Sequence, residues 1–393
     1  MKRFLLLLLL LLLSAQPALA TNYCQCPDAG THARRQEQFD RILRAHDTMG
    51  ASIALISGGQ IVDTFQYGRA NRADNIPVES DTYFRIASVS KMLSAVGVMR
   101  LVEEGYLELD ADIGDYFEYD IRNPYHPGIP ITLRQIMSHT AGLKDSYHYL
   151  RATGGNIELL RHVLSGNFTR ENYYNRRPGE WVRYSNFGGG LLGSVIEQVS
   201  GYTVDEYMQM KVFFPLGIYG GYHTPCLPYD AKVARVYNTE STGMTLDPES
   251  MDGEHMDADP DTGYVHTAGA ALMTAEGMAK ILIALAGDGT VAGVRILSEE
   301  SVRAMREQQD NIGSVRIDSG RGLNINIVTN RLVDGRTLYG HQGKAYGMIC
   351  AAYFDPVDQT GVVLLTNGCN TATVDSVARI ARAVMMQAYE YLP

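Results

Sequence analysis

Apolar residues fill almost every position from Met92 to Val102 and leave no polar stripe. This pattern is typical of a helix that is buried on all sides, which requires a large core around it. The segment that leads into it is Ser88-Val89-Ser90-Lys91. Ser88 falls in the first turn of the predicted helix, and Lys91 lies one turn later on the same face.

This segment has the residue types of a nucleophilic site. A serine hydroxyl attacks poorly until a base takes its proton, and a lysine in a dry site can lose its charge and act as that base. The helix N-terminus favours a developing anion nearby. By itself, however, the motif Ser88-x-x-Lys91 fits an N-cap serine and a surface lysine better, and only further motifs reverse that preference.

The N-terminus predicts export. Lys2 and Arg3 precede an apolar run from Phe4 to Leu13, and Ala18-Leu19-Ala20 completes the pattern of a secretory signal peptide that is cleaved after Ala20. The run is too short for a comfortable membrane span. We therefore expect a signal peptide over residues 1–20 and a periplasmic or extracellular protein without a stable membrane span.

The composition limits the partners and cofactors. The formal net charge is −10, which argues against a nucleic-acid partner. No spacing of Cys and His predicts a zinc site, and Asp257, Asp259 and Asp261 lack the Glu that would complete an EF-hand loop. We expect no metal and no cofactor, and a monomer that acts on a small-molecule or peptidoglycan-derived substrate.

The five cysteines leave at least one thiol unpaired or intermolecular. Export permits disulfides. Cys350 and Cys369 flank a predicted hairpin and could lie opposite one another, and the pairing of Cys24, Cys26 and Cys226 stays open.

The pattern of elements predicts an α+β fold. A helix (Arg34 to Met49) and a hairpin around Gly58-Gly59 precede the Ser88 helix, and strands and a closing helix follow from Leu323 to Tyr391. We predict one domain over residues 21–393. Its sheet subdomain spans about 30–107 and 269–393, and a helical insert spans about 108–268.

Two further motifs carry polar groups suited to the same chemistry. The first is Tyr184-Ser185-Asn186, before the glycine-rich apolar helix from Gly188 to Val199. A phenol beside Lys91 could relay a proton, and the Asn186 amide could orient Lys91 and a substrate carbonyl. The second is His341-Gln342-Gly343, where His341 could bind a polar group and Gly343 would permit close approach to the backbone. The Lys344 amide could face an oxyanion beside the Ser88 amide.

The three motifs in this order resemble the serine β-lactamase and penicillin-binding protein superfamily, in the branch of class C β-lactamases, DD-carboxypeptidases, D-aminopeptidases and related esterases. The resemblance extends from about Gly50 to Asn367 and includes the segments 131–143 and 269–275. It implies an antiparallel five-stranded sheet flanked by helices plus a helical domain, with the site between them.

The resemblance also implies the residue roles. Ser88 is the acylated nucleophile, Lys91 its activating partner and Tyr184 a general base and acid; whether Lys91 or Tyr184 takes the first proton stays open. Asn186, His341, Gln342 and Gly343 bind substrate, and the Ser88 and Lys344 amides form the oxyanion hole. His139 is interpreted as a structural residue at a turn, not as a triad histidine.

One departure from the family affects the function. Class C β-lactamases carry Lys-Thr-Gly at the third motif, whereas this chain has His341 and Gln342, which removes a fixed positive charge and a hydroxyl. The departure points away from a dedicated β-lactamase. It favours a DD-carboxypeptidase-like enzyme acting on D-amino-acid peptides or β-lactam-like amides. A carboxylesterase, a β-lactamase and a catalytically idle cell-wall ligand-binding protein are the alternatives.

Overall fold

The computed structural model describes residues 27–117, 121–145, 170–237, 266–309 and 319–393. Several predictions lie outside these residues, namely the signal peptide, Cys24 and Cys26, and the aspartates of the incomplete calcium loop.

The described residues contain nine α-helices and fourteen β-strands. The α-helices are α1 (Ala29–Ala45), α2 (Ser90–Glu103), α3 (Leu133–Met137), α4 (Asn186–Ser200), α5 (Val204–Met208), α6 (His266–Gly269), α7 (Ala275–Ala286), α8 (Glu299–Arg306) and α9 (Arg379–Tyr389). The strands are β1 (Gly50–Ser57), β2 (Gln60–Asn71), β3 (Ile76–Pro77), β4 (Phe84–Arg85), β5 (Leu272–Met273), β6 (Thr290–Val291), β7 (Val294–Arg295), β8 (Ser319–Arg321), β9 (Asn326–Thr329), β10 (Thr337–Ala345), β11 (Met348–Asp355), β12 (Thr360–Gly368), β13 (Thr373–Val374) and β14 (Val377–Ala378). Shorter turns of 3-10 or π helix occupy Ala87–Val89, Ile113–Tyr116, Arg170–Asn172, Gln209–Phe213, Phe214–Leu216 and Thr224–Cys226.

The main sheet is antiparallel and has the order β3-β2-β1-β12-β11-β10-β9-β8. The α+β class and the helix-flanked antiparallel sheet are confirmed, but the expected count of five strands is wrong, because the sheet has eight. The five longest strands form its centre, and the short strands β3, β9 and β8 extend its two edges. Strands this short carry too few alternating residues to be counted reliably from the sequence.

Alternating side chains of the sheet build two cores. On β1, Ile53 and Leu55 join a core with Phe39 of α1 and Val384 of α9, while Ala54 faces the opposite core. That second core contains the buried side chains of α2, α4 and α7. Because side chains of a strand alternate between its faces, the sheet is a middle layer between two helical layers. The predicted division into a sheet subdomain and a helical insert stays a prediction.

Cys350 and Cys369 do not form the bridge that the sequence left open. Cys350 lies opposite Leu365 in the β11–β12 ladder and belongs to the core that contains α2. Cys369 follows β12 and belongs to the core on the other face of the sheet. Their side chains therefore point to opposite sides. Cys226 has no disulfide partner among the described residues.

Candidate active site

Ser88 lies in a tight turn that leads into α2. It is the middle residue of the 3-10 turn Ala87–Val89, and Ala87 has a φ of 46°, which is uncommon for a residue with a Cβ. Ser90 stabilises the turn, because its Oγ donates to the Ala87 carbonyl at 2.6 Å and accepts from the Ala271 amide at 3.0 Å. The second serine of the motif thus holds the first in place.

Lys91 is fully buried and faces Ser88. Its Nζ donates to Asn186 Oδ1 at 2.9 Å and to the Ala268 carbonyl, and lies 3.4 Å from Ser88 Oγ. Burial lowers the pKa of Lys91 to about 7, while the charge of Asp145 acts in the opposite direction. A neutral amine has two N–H donors and one lone pair. Because Asn186 Oδ1 and the Ala268 oxygen can only accept, they take the two donors and leave the lone pair for the Ser88 hydroxyl.

Tyr184 covers Lys91 from the side of α4. The Lys91 Nζ lies 4.9 Å from the centroid of the Tyr184 ring. Burial raises the pKa of Tyr184 to about 12, and the neighbouring Ser88 hydroxyl lowers it slightly. Tyr184 is therefore a phenol near neutral pH, where it can donate a proton but not accept one.

The helix α4 positions Asn186 as its first residue. Ser185 caps the helix by accepting a hydrogen bond from the Gly188 amide at 3.0 Å, and the helix ends at Gly201, which has a φ of 74°. On the next turn, Gly189 leaves room for Lys91, since a Cβ at this position would lie 2.6 Å from Lys91 Cε.

Asp145 belongs to the site although the sequence did not reveal it. Its carboxylate accepts hydrogen bonds from Ser185 Oγ, the Asn186 amide nitrogen, Asn186 Nδ2 and the Phe187 amide nitrogen, at 2.9 to 3.0 Å. Asp145 lies two residues after the segment 131–143, and none of the three motifs includes it.

His139 lies beside Tyr184, with ring centroids 4.5 Å apart. It has a φ of 60°, its Nδ1 accepts from the Ser185 amide at 3.4 Å, and its carbonyl accepts from the Arg183 amide at 2.8 Å. Burial lowers the pKa of His139 well below its ordinary value, so that the ring is neutral. These contacts place His139 as a support for Tyr184 in a turn.

The third motif lies on β10. The His341 ring centroid is 6.3 Å from that of Tyr184, and burial lowers the pKa of His341 to about 3, so that it carries no charge at neutral pH. Gly343 packs against the nucleophile turn, since a Cβ there would lie 2.5 Å from the Ile86 carbonyl oxygen and 3.0 Å from the Ser88 amide nitrogen. β10 thus approaches the backbone of Ser88 at a position that has no side chain.

The structure does not bring the Gln342 side chain to Ser88. Its Nε2 donates to the Ser376 carbonyl at 2.6 Å, and its Oε1 accepts from the Ala378 amide at 3.2 Å. Successive side chains of a strand point to opposite faces, and Gly343 faces Ser88. The side chain of Lys344 is also engaged elsewhere, because its Nζ donates to the Thr371 carbonyl at 3.3 Å. Only the Lys344 amide was predicted to take part in the site.

A second residue that the motifs did not reveal is Arg321, on the edge strand β8. Arg321 pairs with Asn326 of β9, which in turn pairs with Gly340 next to His341. Its positive charge acts on Tyr184, His139 and His341, lowering the pKa of each. A positive charge from a different strand therefore acts on the residues around Ser88.

Two features are absent from the described residues. No group of three or more His, Cys, Asp or Glu side chains in those residues is arranged to hold a metal ion. No helix among them is long and apolar enough to span a bilayer.

The comparison with known proteins agrees with this geometry. A sequence model of the family described as "Beta-lactamase" matches residues 36–385. The chain belongs to the β-lactamase family. This confirms the resemblance predicted from the three motifs and places the chain in the superfamily of serine hydrolases.

The relatives within this family differ in their described activities. The chain is 27% identical to penicillin-binding protein 4 of Amycolatopsis lactamdurans over 344 residues, covering 86% of this chain and 85% of that protein. It is 30% identical to the esterase EstB of Burkholderia gladioli over 202 residues, covering 48% of this chain and 51% of that protein. The octameric penicillin-binding protein homologue from Pyrococcus abyssi shares the fold, with a TM-score of 0.71 and 24% identity over 90% of this chain and 76% of that chain.

Proposed function

We propose that this protein is a serine hydrolase that forms an acyl-enzyme on Ser88 and acts on D-amino-acid peptides or β-lactam-like amides, as a DD-carboxypeptidase does. One observation carries the proposal. A fully buried lysine with a pKa lowered to about 7 faces the Ser88 hydroxyl, and two carbonyl acceptors occupy its N–H groups. This arrangement activates a serine and has no evident structural purpose.

In the proposed acylation, each polar group of the site has a defined step. Neutral Lys91 takes the Ser88 proton as Oγ bonds to the substrate carbonyl carbon, and the backbone amides of Ser88 and Lys344 stabilise the oxyanion. As the intermediate collapses, the bond to the leaving amine breaks and the Tyr184 phenol protonates that amine. The proton on Lys91 then restores Tyr184. In deacylation a water molecule loses a proton to Lys91 as its oxygen bonds to the ester carbon. The bond from that carbon to Ser88 Oγ then breaks, and Lys91 returns the proton to Oγ, which frees Ser88 and the acid.

The positive charge near the third motif supports a substrate that carries a carboxylate. His341 is neutral and the Gln342 side chain is engaged with Ser376 and Ala378, so neither supplies this charge. Arg321 lies on β8, which β9 separates from β10, and its charge acts on the polar groups around Ser88. A terminal carboxylate of a D-amino-acid peptide has the matching charge. The similarity to a penicillin-binding protein along most of both chains supports the same substrate class.

A carboxylesterase is the second candidate. The third motif offers neither a hydroxyl nor a fixed charge of its own, and an ester leaving group needs no carboxylate anchor. EstB is similar over about half of its length.

Hydrolysis of three substrates separates these functions. Purified protein and Ser88→Ala are assayed with a D-Ala-D-Ala peptide, a short p-nitrophenyl ester and a penicillin. Turnover of the peptide by wild type only supports the DD-carboxypeptidase-like function, and turnover of the ester without the peptide supports the esterase. Turnover of the penicillin by wild type only would make the protein a β-lactamase. Equal rates for wild type and Ser88→Ala would refute all three.

We also propose that the protein is exported, because residues 1–20 have the pattern of a cleaved signal peptide. N-terminal sequencing of protein from the culture medium or the periplasm is expected to begin at Thr21. A chain that still begins at Met1 would contradict export by this signal.

A further inference from the structure

We propose that Asp145 is a positioning residue of this site, which holds the Asn186 amide with its oxygen toward Lys91 and balances the charge of the lysine. The assignment rests on the proposed function, since it concerns the same proton transfer from Ser88.

The hydrogen bonds of Asp145 determine the orientation of the Asn186 amide. The carboxylate accepts from Asn186 Nδ2 at 2.9 Å and from the Asn186 backbone amide at 3.0 Å, which fixes the side chain at both ends. An ionised carboxylate can only accept, so the NH2 group must face Asp145. The Asn186 Oδ1 is then the atom that faces Lys91, and it accepts from Nζ at 2.9 Å.

The opposite orientation would stop the reaction. If the amide turned over, Nδ2 would face Lys91 and donate to the lone pair that must receive the Ser88 proton, while Oδ1 would lie against the carboxylate of Asp145. Asp145 excludes this arrangement because two oxygens that only accept would repel each other. Asp145 therefore keeps the lone pair of Lys91 available for Ser88.

The charges around Lys91 come from several elements. Asp145 approaches Lys91 from the segment after Leu143, and Tyr184 and Asn186 approach it from the start of α4. The Ala268 carbonyl belongs to α6, His341 to β10 and His139 to the turn after α3. The positive charge of Arg321 acts on the two histidines and on Tyr184, and lowers the pKa of each. At neutral pH the histidines and Tyr184 are uncharged, because burial lowers the pKa of both rings and raises that of the phenol.

Within the described residues, Asp145 is the carboxylate whose charge reaches Lys91. Burial lowers the pKa of Lys91, and the negative charge of Asp145 opposes that effect. Removal of this charge must therefore lower the pKa of Lys91 further. A residue that merely stabilised α4 would not have this consequence.

The test compares Asp145→Asn with Ser185→Ala. Ser185→Ala removes the hydrogen bond from Ser185 Oγ to the Asp145 carboxylate, and Asp145→Asn replaces one acceptor oxygen of that carboxylate by an NH2 group, but only Asp145→Asn removes the charge. The pH dependence of kcat/KM is measured with p-nitrophenyl acetate for wild type, both variants and Ser88→Ala. In Asp145→Asn we expect the acid limb to move to lower pH and the plateau to fall about 100-fold, because the amide of Asn186 is no longer held. In Ser185→Ala we expect the acid limb to lie at the same pH as in wild type.

The outcomes distinguish a failure of the role of Asp145 from a failure of the proposed function. An acid limb of Asp145→Asn that coincides with that of wild type would overturn the role of Asp145 and leave the proposed function intact. A wild type without Ser88-dependent hydrolysis would overturn both. Should Asp145→Asn fail to fold, Asp145→Glu decides, because it keeps the charge and displaces the carboxylate. It is expected to keep the acid limb and lose plateau activity, and a wild-type plateau would overturn the positioning role.

Discussion

The side chain of Lys91 runs directly over Gly189, the fourth residue of α4. A Cβ on Gly189 would lie 2.6 Å from Lys91 Cε and 3.2 Å from both Cδ and Cγ. Contacts shorter than 3 Å between carbon atoms are repulsive, so a methyl group at this position must displace the lysine. The glycine-rich start of α4 is therefore part of the site as well as part of the core.

We predict that Gly189→Ala lowers kcat/KM about 100-fold, because a displacement of about 1 Å moves Nζ away from Ser88 Oγ. The matched control is Gly188→Ala on the same helix, whose Cβ would lie 3.4 Å from the nearest atoms of Ile136 and Leu143 and would not contact Lys91. Steady-state kinetics and thermal unfolding of both variants check the prediction. Wild-type kinetics in Gly189→Ala would mean that the position of Lys91 does not control the reaction.

The pKa of Lys91 predicts the pH dependence of wild type. Below a pKa of about 7 the amine is protonated and has no lone pair for the Ser88 proton, and above it the amine is neutral. The value of kcat/KM should therefore rise through about pH 7 and then level off. Lys91→Arg keeps a cation but cannot act as a base, and it should lose roughly 10²- to 10⁴-fold in activity at every pH. Retained activity in Lys91→Arg would contradict the role of Lys91.

His341→Lys restores the cation found in Lys-Thr-Gly enzymes. A second positive charge beside Lys91 and Tyr184 lowers the pKa of both groups, since it disfavours the ammonium and favours the phenolate. The pH–rate profile should move toward lower pH. His341→Gln, which is neutral like the native histidine, serves as the control and should leave the profile in place. An unchanged profile in His341→Lys would count against the electrostatic account.

Arg321→Ala tests the recognition of a carboxylate. We predict that it raises KM for a D-Ala-D-Ala peptide roughly tenfold, the effect of losing about 1.4 kcal/mol of binding. The KM for a neutral p-nitrophenyl ester should not change in the same variant, which makes the ester an internal control. Equal effects on both substrates would show that Arg321 supports the fold of β8 and not the binding of an anion.

The motif residues that the structure brings together lie at the ends of strongly patterned segments. Ser88 and Lys91 lie at the start of the buried helix α2, and Tyr184 and Asn186 lie at the start of α4. For such residues the helix itself fixes the direction of the side chain, so that the spacing along the chain is enough to predict which side chains lie together. The central strands of the sheet were recognisable for the same reason, because their alternation is long enough to read.

The residues that escaped prediction depend on contacts between distant segments. Asp145 meets Asn186 across a large separation in the chain, and Arg321 reaches the site only through the pairing of β8, β9 and β10. Gln342 was assigned to the substrate from its motif, yet its side chain binds Ser376 and Ala378. The local sequence does not indicate that the segment after β13 packs against the face of β10 that carries Gln342.

Covalent modification of Ser88 tests the central claim most directly. Wild type and Ser88→Ala are mixed with p-nitrophenyl acetate, and in parallel with a penicillin, quenched in acid and analysed by intact-mass spectrometry and peptide mapping. The account predicts an adduct of the acyl group of at least one reagent, on Ser88 of wild type and absent from Ser88→Ala. The same adduct on Ser88→Ala, or no adduct with either reagent, would contradict an acyl-enzyme on Ser88.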